Sequence, residues 1–495
     1  MSHPAASPDS ARPDSANAES AVEFLLSRVN YERTNKPPYD PRSFRLERMR
    51  RLLALLGDPH FAWPAVHIAG TKGKGSTATM IASVLMKAGY RVGLYTSPHL
   101  NHIEERMQAN GQPCPPEALA GIVHRLRPIV ERMDREAALD GRAGDGPTYF
   151  EITTAAAMQY FADLALDIVV LEVGLGGRLD STNVCNPILS GITSIGFDHM
   201  AQLGNTLAAI AGEKAGIIKP GVEVVTGVTQ QEPLAVIMRR ANQLGCELIQ
   251  AGLHYRFEYR VDSLTTWPRV SFFDTSSGDR LGGNLPNVEL HLLGQHQAAN
   301  AAMAIAMLRM LKKKGWRIGD DAIRAGLAAA VCPARVEVIR RDPTVILDVA
   351  HNVSSIQALV ETIDLSFPGT RRSLVFGSSR DKDIPGMLEI LLPKFDRIYF
   401  TQYRLNPRAA DPHWLMETAK TLLAANSSQV ERPYQPQLQL VTDPIDAYRQ
   451  AAGELDREGL LCVTGSFFLA AELRPWLQAE RQADSSCQVE SIVNV

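Results

Sequence analysis

The stretch Ala65-Val-His-Ile-Ala-Gly-Thr-Lys-Gly-Lys-Gly-Ser-Thr77 decides how the rest of the chain is read. Ala65–Ala69 is a short apolar run with β-branched residues, the pattern of a buried strand. Gly70, Gly73 and Gly75 then permit a tight turn whose backbone N–H groups can come close to a ligand. Ser76 or Thr77 can cap the helix that follows, where Met80, Ile81, Val84, Leu85 and Ala88 recur at helical spacing. A second apolar run, Val92–Tyr95, completes a strand–turn–helix–strand unit. Glycine amides at a helix N-terminus form an anion cradle, and Lys74 adds a mobile positive charge. The stretch predicts a phosphate-binding loop. It departs from the strict Gly-x-x-x-x-Gly-Lys-Ser/Thr spacing, because Ile68 stands at the first glycine position and Gly75 separates Lys74 from Ser76.

A chain of 495 residues exceeds what one hydrophobic core usually supports, so two or more domains are expected. A formal net charge of −3 gives no support for binding nucleic acid or an anionic membrane surface. No uninterrupted apolar stretch reaches the length of a membrane span. The cysteines at 114, 185, 246, 332, 462 and 487 form no Cys-x-x-Cys pair. That argues against a zinc site or a disulfide framework and for reduced thiols in the cytoplasm. Residues 1–19 have no basic-then-apolar order, so they read as a disordered tail and not as a signal peptide. The polar residues 481–495 read as a flexible tail.

Along the chain, Phe44–Gly57 has the pattern of an amphipathic helix with a glycine C-cap. After Val92–Tyr95, Pro98 stops the strand and leaves the hydroxyls of Thr96 and Ser97 at its carboxyl end. Ligands bind at that end of open α/β sheets, and a hydroxyl there can complete a magnesium shell beside a triphosphate. Residues 134–147 read as a polar loop, Thr148 as a helix start, and Asp167–Leu171 as a strand ending in Glu172. A carboxylate at a strand tip is placed to hold magnesium, although a lone strand-end Glu is more often a solvated terminus. The turn Gly174-Leu-Gly-Gly-Arg-Leu-Asp-Ser-Thr-Asn183 lacks the dinucleotide fingerprint, since Leu179 occupies its last glycine position. Ile188–Ile195 reads as a strand closing with Gly196-Phe-Asp-His-Met200, and Glu213-Lys-Ala-Gly-Ile-Ile-Lys-Pro220 follows. Alone, His199 reads as a structural histidine and Lys214 as a surface lysine. Residues 221–290 alternate apolar and polar and predict a strand-rich flap or small subsheet. Leu293–Ala301 opens a long core helix, and strands near 344–348, 372–376, 397–401, 437–441 and 459–463 predict a second α/β layer.

The loop Gly70-Thr-Lys-Gly-Lys-Gly-Ser-Thr77 resembles the nucleotide loop of the Mur ligase superfamily. Within that superfamily it is most similar to the folylpolyglutamate synthase/dihydrofolate synthase family, whose usual form has Asn where this chain has Lys72. Further blocks match in family order across residues 20–480. They are Ser97-Pro-His with Glu105-Arg106, Glu172 with Arg178–Asn183, Asp198-His199, Glu213–Lys219 and His296-Gln297 with Asn300-Ala301. Pro333-Ala-Arg-Val-Glu337 follows, with Ala334 in place of glycine, and then Asp348-Val-Ala-His-Asn-Val353, with Val in place of Gly and Pro. Gly377 with Asp381-Lys-Asp383, Asn406-Pro-Arg-Ala409 and Thr464-Gly-Ser-Phe467 complete the set.

The resemblance implies an α/β chain of two domains. An N-terminal P-loop-type Mur ligase ATPase domain would span 20–330, and a C-terminal Rossmann-like glutamate-ligase domain would span 335–480. The implied reaction is ATP-dependent amide formation: a carboxylate takes the γ-phosphoryl group, and L-glutamate displaces phosphate from the acyl phosphate. Dihydropteroate, a reduced folate or both would be the acceptor. Gly70, Thr71, Gly73, Lys74, Gly75, Ser76 and Thr77 would hold ATP, with Asn300 facing the adenine, Arg335 the phosphates and Asp348 the ribose. Ser97, Glu172 and His199 would hold two magnesium ions, and Lys214 matches a lysine that becomes carbamylated and helps orient His199. Lys74, Glu172, His199, Lys214 and His351 form the implied catalytic set, with His351 and Ser466 on the glutamate side. The family reading also implies a cytoplasmic monomer with small-molecule partners and neither nucleic acid nor membrane. Two other readings compete: a Mur-type ligase acting on a UDP-muramyl peptide, and a nucleotide-binding protein without catalysis. The Thr96-Ser-Pro-His99 and Lys214–Lys219 blocks resemble the folate branch, and Lys74, Glu172, His199 and Lys214 together argue against a decayed site.

Overall fold

A strand buried at every position belongs in the middle of a layered α/β sheet, and Ala65–Ala69 (β1) is such a strand. The computed structural model describes residues 13–30, 46–262, 267–278, 280–404, 406–427 and 435–493. Its contacts fall into two compact units, one built from 1–256, 272–285 and 300–327, the other from 257–271, 286–299 and 328–495.

In the first unit β1 is joined by β2 (Val92–Tyr95), β3 (Met107–Ala109), β4 (Gln112–Pro113), β5 (Ile168–Glu172), β6 (Pro187–Ile192), β7 (Val224–Thr226) and β8 (Leu248–Gln250). The sheet order is β4-β3-β2-β5-β1-β6-β7-β8, parallel from β2 to β8, with β3 and β4 antiparallel at one edge. The crossover that leaves β1 runs to β2, beyond β5 on one side, and the later crossover that leaves β5 passes β1 to reach β6 on the other, so the direction of winding reverses beside β1. The carboxyl ends beside β1 are therefore the crevice where such sheets bind ligands. Helix Tyr149–Asp163 starts at a capping box in which the Thr148 hydroxyl accepts from Glu151 N–H, and the Glu151 carboxylate accepts from Thr148 N–H. Arg48, on helix Leu46–Leu55, donates to that same buried Glu151 at 2.8 Å.

The second unit holds β12 (Glu337–Arg340), β13 (Thr344–Leu347), β14 (Arg372–Phe376), β15 (Arg397–Phe400), β16 (Gln437–Leu440) and β17 (Leu460–Thr464), numbered after a small sheet of β9 (Tyr255–Arg260), β10 (Arg269–Asp274) and β11 (Leu285–Glu289). The six-stranded order is β12-β13-β17-β14-β15-β16, parallel except for β12. The five predicted strands are present; the antiparallel edge strand β12 was not anticipated.

Several elements differ from the sequence reading. Residues 13–26 form a helix with Ala21 and Leu25 buried, where a disordered tail was expected to run to residue 19; residues 1–12 lie outside the described set. Helix Phe467–Val493 continues through the expected C-terminal tail, whose Ala, Glu, Gln and Arg are good helix formers. Residues 134–139 are the last turns of helix Pro116–Leu139, not a loop. The expected strand-rich flap contains helix Gln231–Gln243, whose buried Pro233, Ile237 and Ala241 recur at four-residue spacing. Among the described residues, no helix is long and apolar enough to cross a membrane.

Candidate active site

The glycines of the loop after β1 are required by what stands against them. Gly70 (φ +152°) and Gly73 (φ +83°) both lie in backbone that favours glycine, and an added Cβ would overlap Thr193 Oγ1 at the first and Asn300 Oδ1 at the second. Gly75 leaves its space to the Glu172 carboxylate, which a Cβ would meet at 3.1 Å. Hydroxyls at the end of β6 clamp the same loop. Thr193 Oγ1 donates to Lys72 O (2.6 Å), Thr71 N–H donates to Ser194 O (2.7 Å) and Lys72 N–H donates to Ser194 Oγ (3.0 Å). Thr193 and Ser194 were not singled out in the sequence; polar residues closing an apolar strand were the available signal.

Helix Lys74–Lys87 begins at this loop, so Lys74 occupies its first turn. Lys74 Nζ lies 4.0 Å from Glu172 Oε1, and Ser97 N–H donates to Glu172 Oε2 at 3.2 Å. Three strand ends thus meet at one buried carboxylate: β1 through Lys74, β2 through Ser97 and β5 through Glu172 itself. Burial pushes the Lys74 ammonium below its ordinary value, and Glu172 pulls it back up. Lys214 is buried and donates from Nζ to Gly70 O at 2.9 Å. Burial, then the positive charge of Lys74, lowers its amine to about 7. The surface position read from sequence alone for Lys214 is therefore wrong: helix Leu207–Ala215 turns it inward beneath the loop. The loop after β2 is braced separately, with Arg106 Nε donating to His99 Nδ1 (2.7 Å) and the Glu105 carboxylate accepting from the N–H groups of Leu100, Asn101 and His102.

His199 lies on the Gly196–Met200 loop, with φ +50° and a side chain 43% exposed. Its backbone N–H donates to Asp198 Oδ1, while Asp198 Oδ2 pairs with Lys72 Nζ at 2.9 Å. Lys72, the residue that departs from the family's Asn, thereby ties the loop after β1 to the His199 loop. Among the described residues, no three His, Cys, Asp or Glu side chains converge as a metal cage. Magnesium usually takes one or two protein carboxylates and completes its shell with waters and phosphate oxygens. Glu172 and the neighbouring Ser97 suit that donor set; in the helix that begins at the loop, the buried Thr77 hydroxyl has no hydrogen-bond partner.

In the second unit the predicted residues gather at the carboxyl ends of β13 and β17. Asp348 is buried and accepts from Val336 N–H (2.8 Å) and Ala350 N–H (2.6 Å); burial raises its carboxyl. His351 Nδ1 lies 2.8 Å from Val349 O. Gly465 N–H donates to Ala350 O at 3.0 Å, which brings the buried Ser466 beside the His351 turn. Ser379 Oγ lies 2.6 Å from Tyr403 OH, a buried pair that sequence reading missed. Arg335 is exposed, and burial, then the charge of Arg335, lowers the nearby His296 to about 4.

This arrangement of loop, strand-end acid and second α/β unit has counterparts. Residues 128–308 match the Mur ligase middle domain and residues 334–467 match the Mur ligase glutamate ligase domain. The chain is 37% identical to the dihydrofolate synthase/folylpolyglutamate synthase of Bacillus subtilis, over 88% of this chain and 95% of that protein. It belongs to the folylpolyglutamate synthase/dihydrofolate synthase family. The Mycobacterium tuberculosis member is 32% identical over 93% of this chain and 94% of that protein. Two solved structures share the fold of this family member: Mycobacterium tuberculosis folylpolyglutamate synthase complexed with ADP (TM-score 0.80, 29% identity, 94% and 99% of the two chains) and the Escherichia coli enzyme in complex with DHPP and ADP (TM-score 0.75, 30% identity, 96% and 100%).

Proposed function

We propose that this chain joins L-glutamate to a folate-type carboxylate at the expense of ATP, with dihydropteroate, a reduced folate or both as acceptor. The observation that carries the reading is the meeting of Lys74, Ser97 and Glu172 at three strand ends, in a chain of this family. The loop amides of residues 70–77 and Lys74 cradle the phosphates, Asn300 faces the adenine, Asp348 the ribose, and Arg335 adds a second positive charge. Transfer of a phosphoryl group to a carboxylate brings two anions together, so fixed positive charge lowers the barrier. An acceptor oxygen attacks the γ-phosphorus as the bond to ADP breaks; the glutamate amine then attacks the acyl carbon, expelling phosphate and losing a proton. His351 and Ser466 orient the glutamate. Magnesium, held by Ser97, Glu172 and His199, would supply further positive charge beside the phosphates.

A lysine amine brought to about 7 is about half neutral near pH 7, and the neutral amine is the form that adds carbon dioxide, which supports carbamylation of Lys214. The residue ranges 20–330 and 335–480 serve as the ATP-binding and glutamate-ligase domains, in a cytoplasmic monomer. Purified protein given Mg-ATP and L-glutamate should release ADP with 7,8-dihydropteroate, with a reduced folate monoglutamate, or with both, and yield the glutamylated product. Bound ATP with no turnover on either acceptor would overturn the folate reading.

A further inference from the structure

We propose that Glu337 and Arg474 form a clasp that fixes the turn presenting Arg335, making Arg474 a positioning residue for the nucleotide-side arginine. The proposal rests on the reading of Arg335 given above. Both neighbours of Arg335 lie in the left-handed backbone region, Ala334 at φ +53° and Val336 at φ +49°. Neither is glycine, and for a β-branched residue that conformation is a true outlier. Such a conformation persists only where the surroundings over-determine it.

The surroundings can be named. Ala334 and Val336 are buried. Ala334 N–H donates to Glu337 Oε2 at 2.7 Å, Val336 N–H donates to Asp348 Oδ2 at 2.8 Å, and Val349 N–H donates to Ala334 O at 3.1 Å. Glu337 is itself held in a two-point grip: Arg474 Nε donates to Oε2 and Nη2 to Oε1, each at 2.8 Å. The two side chains are only 17% and 16% exposed. A planar guanidinium fixes the plane of a carboxylate as well as its position, which an ammonium cannot do. With both carboxylate oxygens gripped by Arg474, Oε2 is held pointing at Ala334 N–H. Arg474 lies on the helix that begins directly after Ser466, so one helix carries both the proposed glutamate-side serine and the clasp.

A bridge that served stability alone would lower the melting temperature and leave substrate affinity unchanged. The test uses the full chain and the variants R335M, R474M, R474K, A334G and the doubles R335M/R474M and A334G/R474M, with KM for ATP, kcat and melting temperature measured for each. R474M and R335M should each raise KM for ATP about tenfold, and the R335M/R474M double should be no worse than R335M alone. R474K, which keeps the charge and loses the two-point grip, should resemble R474M and covers the case in which R474M does not fold. Glycine at 334 adopts the turn without the clasp, so A334G/R474M should recover ATP affinity. A wild-type KM for ATP in R474M or R474K, or additive losses in the double, would overturn the clasp. A wild-type KM in R335M would instead sink the assignment of Arg335 itself.

Discussion

The turn after β1 and the turn before β12 both need left-handed backbone, and they obtain it by opposite means. At residues 70–75 glycines take the unusual torsions, and the space they leave is filled by Thr193, Asn300 and Glu172. At residues 334–336 alanine and valine take them, held by carboxylates from Glu337 and Asp348. The first turn takes its torsions from its own glycines, and Thr193, Ser194 and Lys214 then hold the loop in place. The second is imposed from a distance, by a partner 137 positions further along the chain. A site can thus be preorganised by composition or by bracing, and the two kinds should fail differently.

The largest effect should come from charge on the locally determined side. K74M removes the cation proposed to face the phosphates and should lower kcat about a thousandfold, measured by ADP release, while the protein stays folded. G73A comes next. Its Cβ would collide with Asn300 in a backbone that disfavours alanine, and displacing the loop should cost about a hundredfold in kcat/KM. A G73A variant with normal nucleotide affinity by calorimetry would show that the outside contacts, and not the glycines, set the torsions of this turn.

Lys214 gives a pH test of the same loop. The unfolded lysine keeps its proton to about pH 10.4, whereas the folded amine releases it near 7. Between those values the unfolded state binds more protons, so stability rises with pH through the window, and below pH 7 the cost of burying the charge is fully present. Thermal unfolding of wild type in carbonate-free buffer should therefore climb from pH 7 to 9, by at most about 1.4 kcal/mol per pH unit, and K214M should flatten the climb. The smallest effect belongs to the braced turn. A334G removes the side chain from left-handed backbone and should stabilise the folded chain by about 1 kcal/mol, read from chemical denaturation. Destabilisation by A334G would mean that the alanine methyl packs better than its torsion costs, and the contrast between the two turns would narrow.

This contrast also explains what could be read from the amino-acid order. The glycine turn, the strand ends at Ser97 and Glu172, and five strands of the second sheet were legible because their determinants are contiguous. Thr193 and Ser194 were not, since their role comes from facing the loop of a neighbouring strand. Lys214 looked like a surface lysine because nothing in its own helix announces burial; the carbonyl of Gly70 does. Helix Gln231–Gln243 was hidden in a stretch whose polar residues mimic alternation. The clasp was out of reach for the plainest reason: an arginine on a late helix carries no mark of the glutamate it grips.

The hydrogen bond from Lys214 Nζ to Gly70 O has a bearing on how the proposed carbamate would behave. An amine has N–H bonds to spare, and adding carbon dioxide to the nitrogen leaves one of them. The donor to Gly70 can survive while the side chain changes from neutral or cationic to anionic. Carbon dioxide would then act as a reversible sign change installed under the phosphate loop, altering the potential there without rebuilding the contact that holds the loop's first glycine.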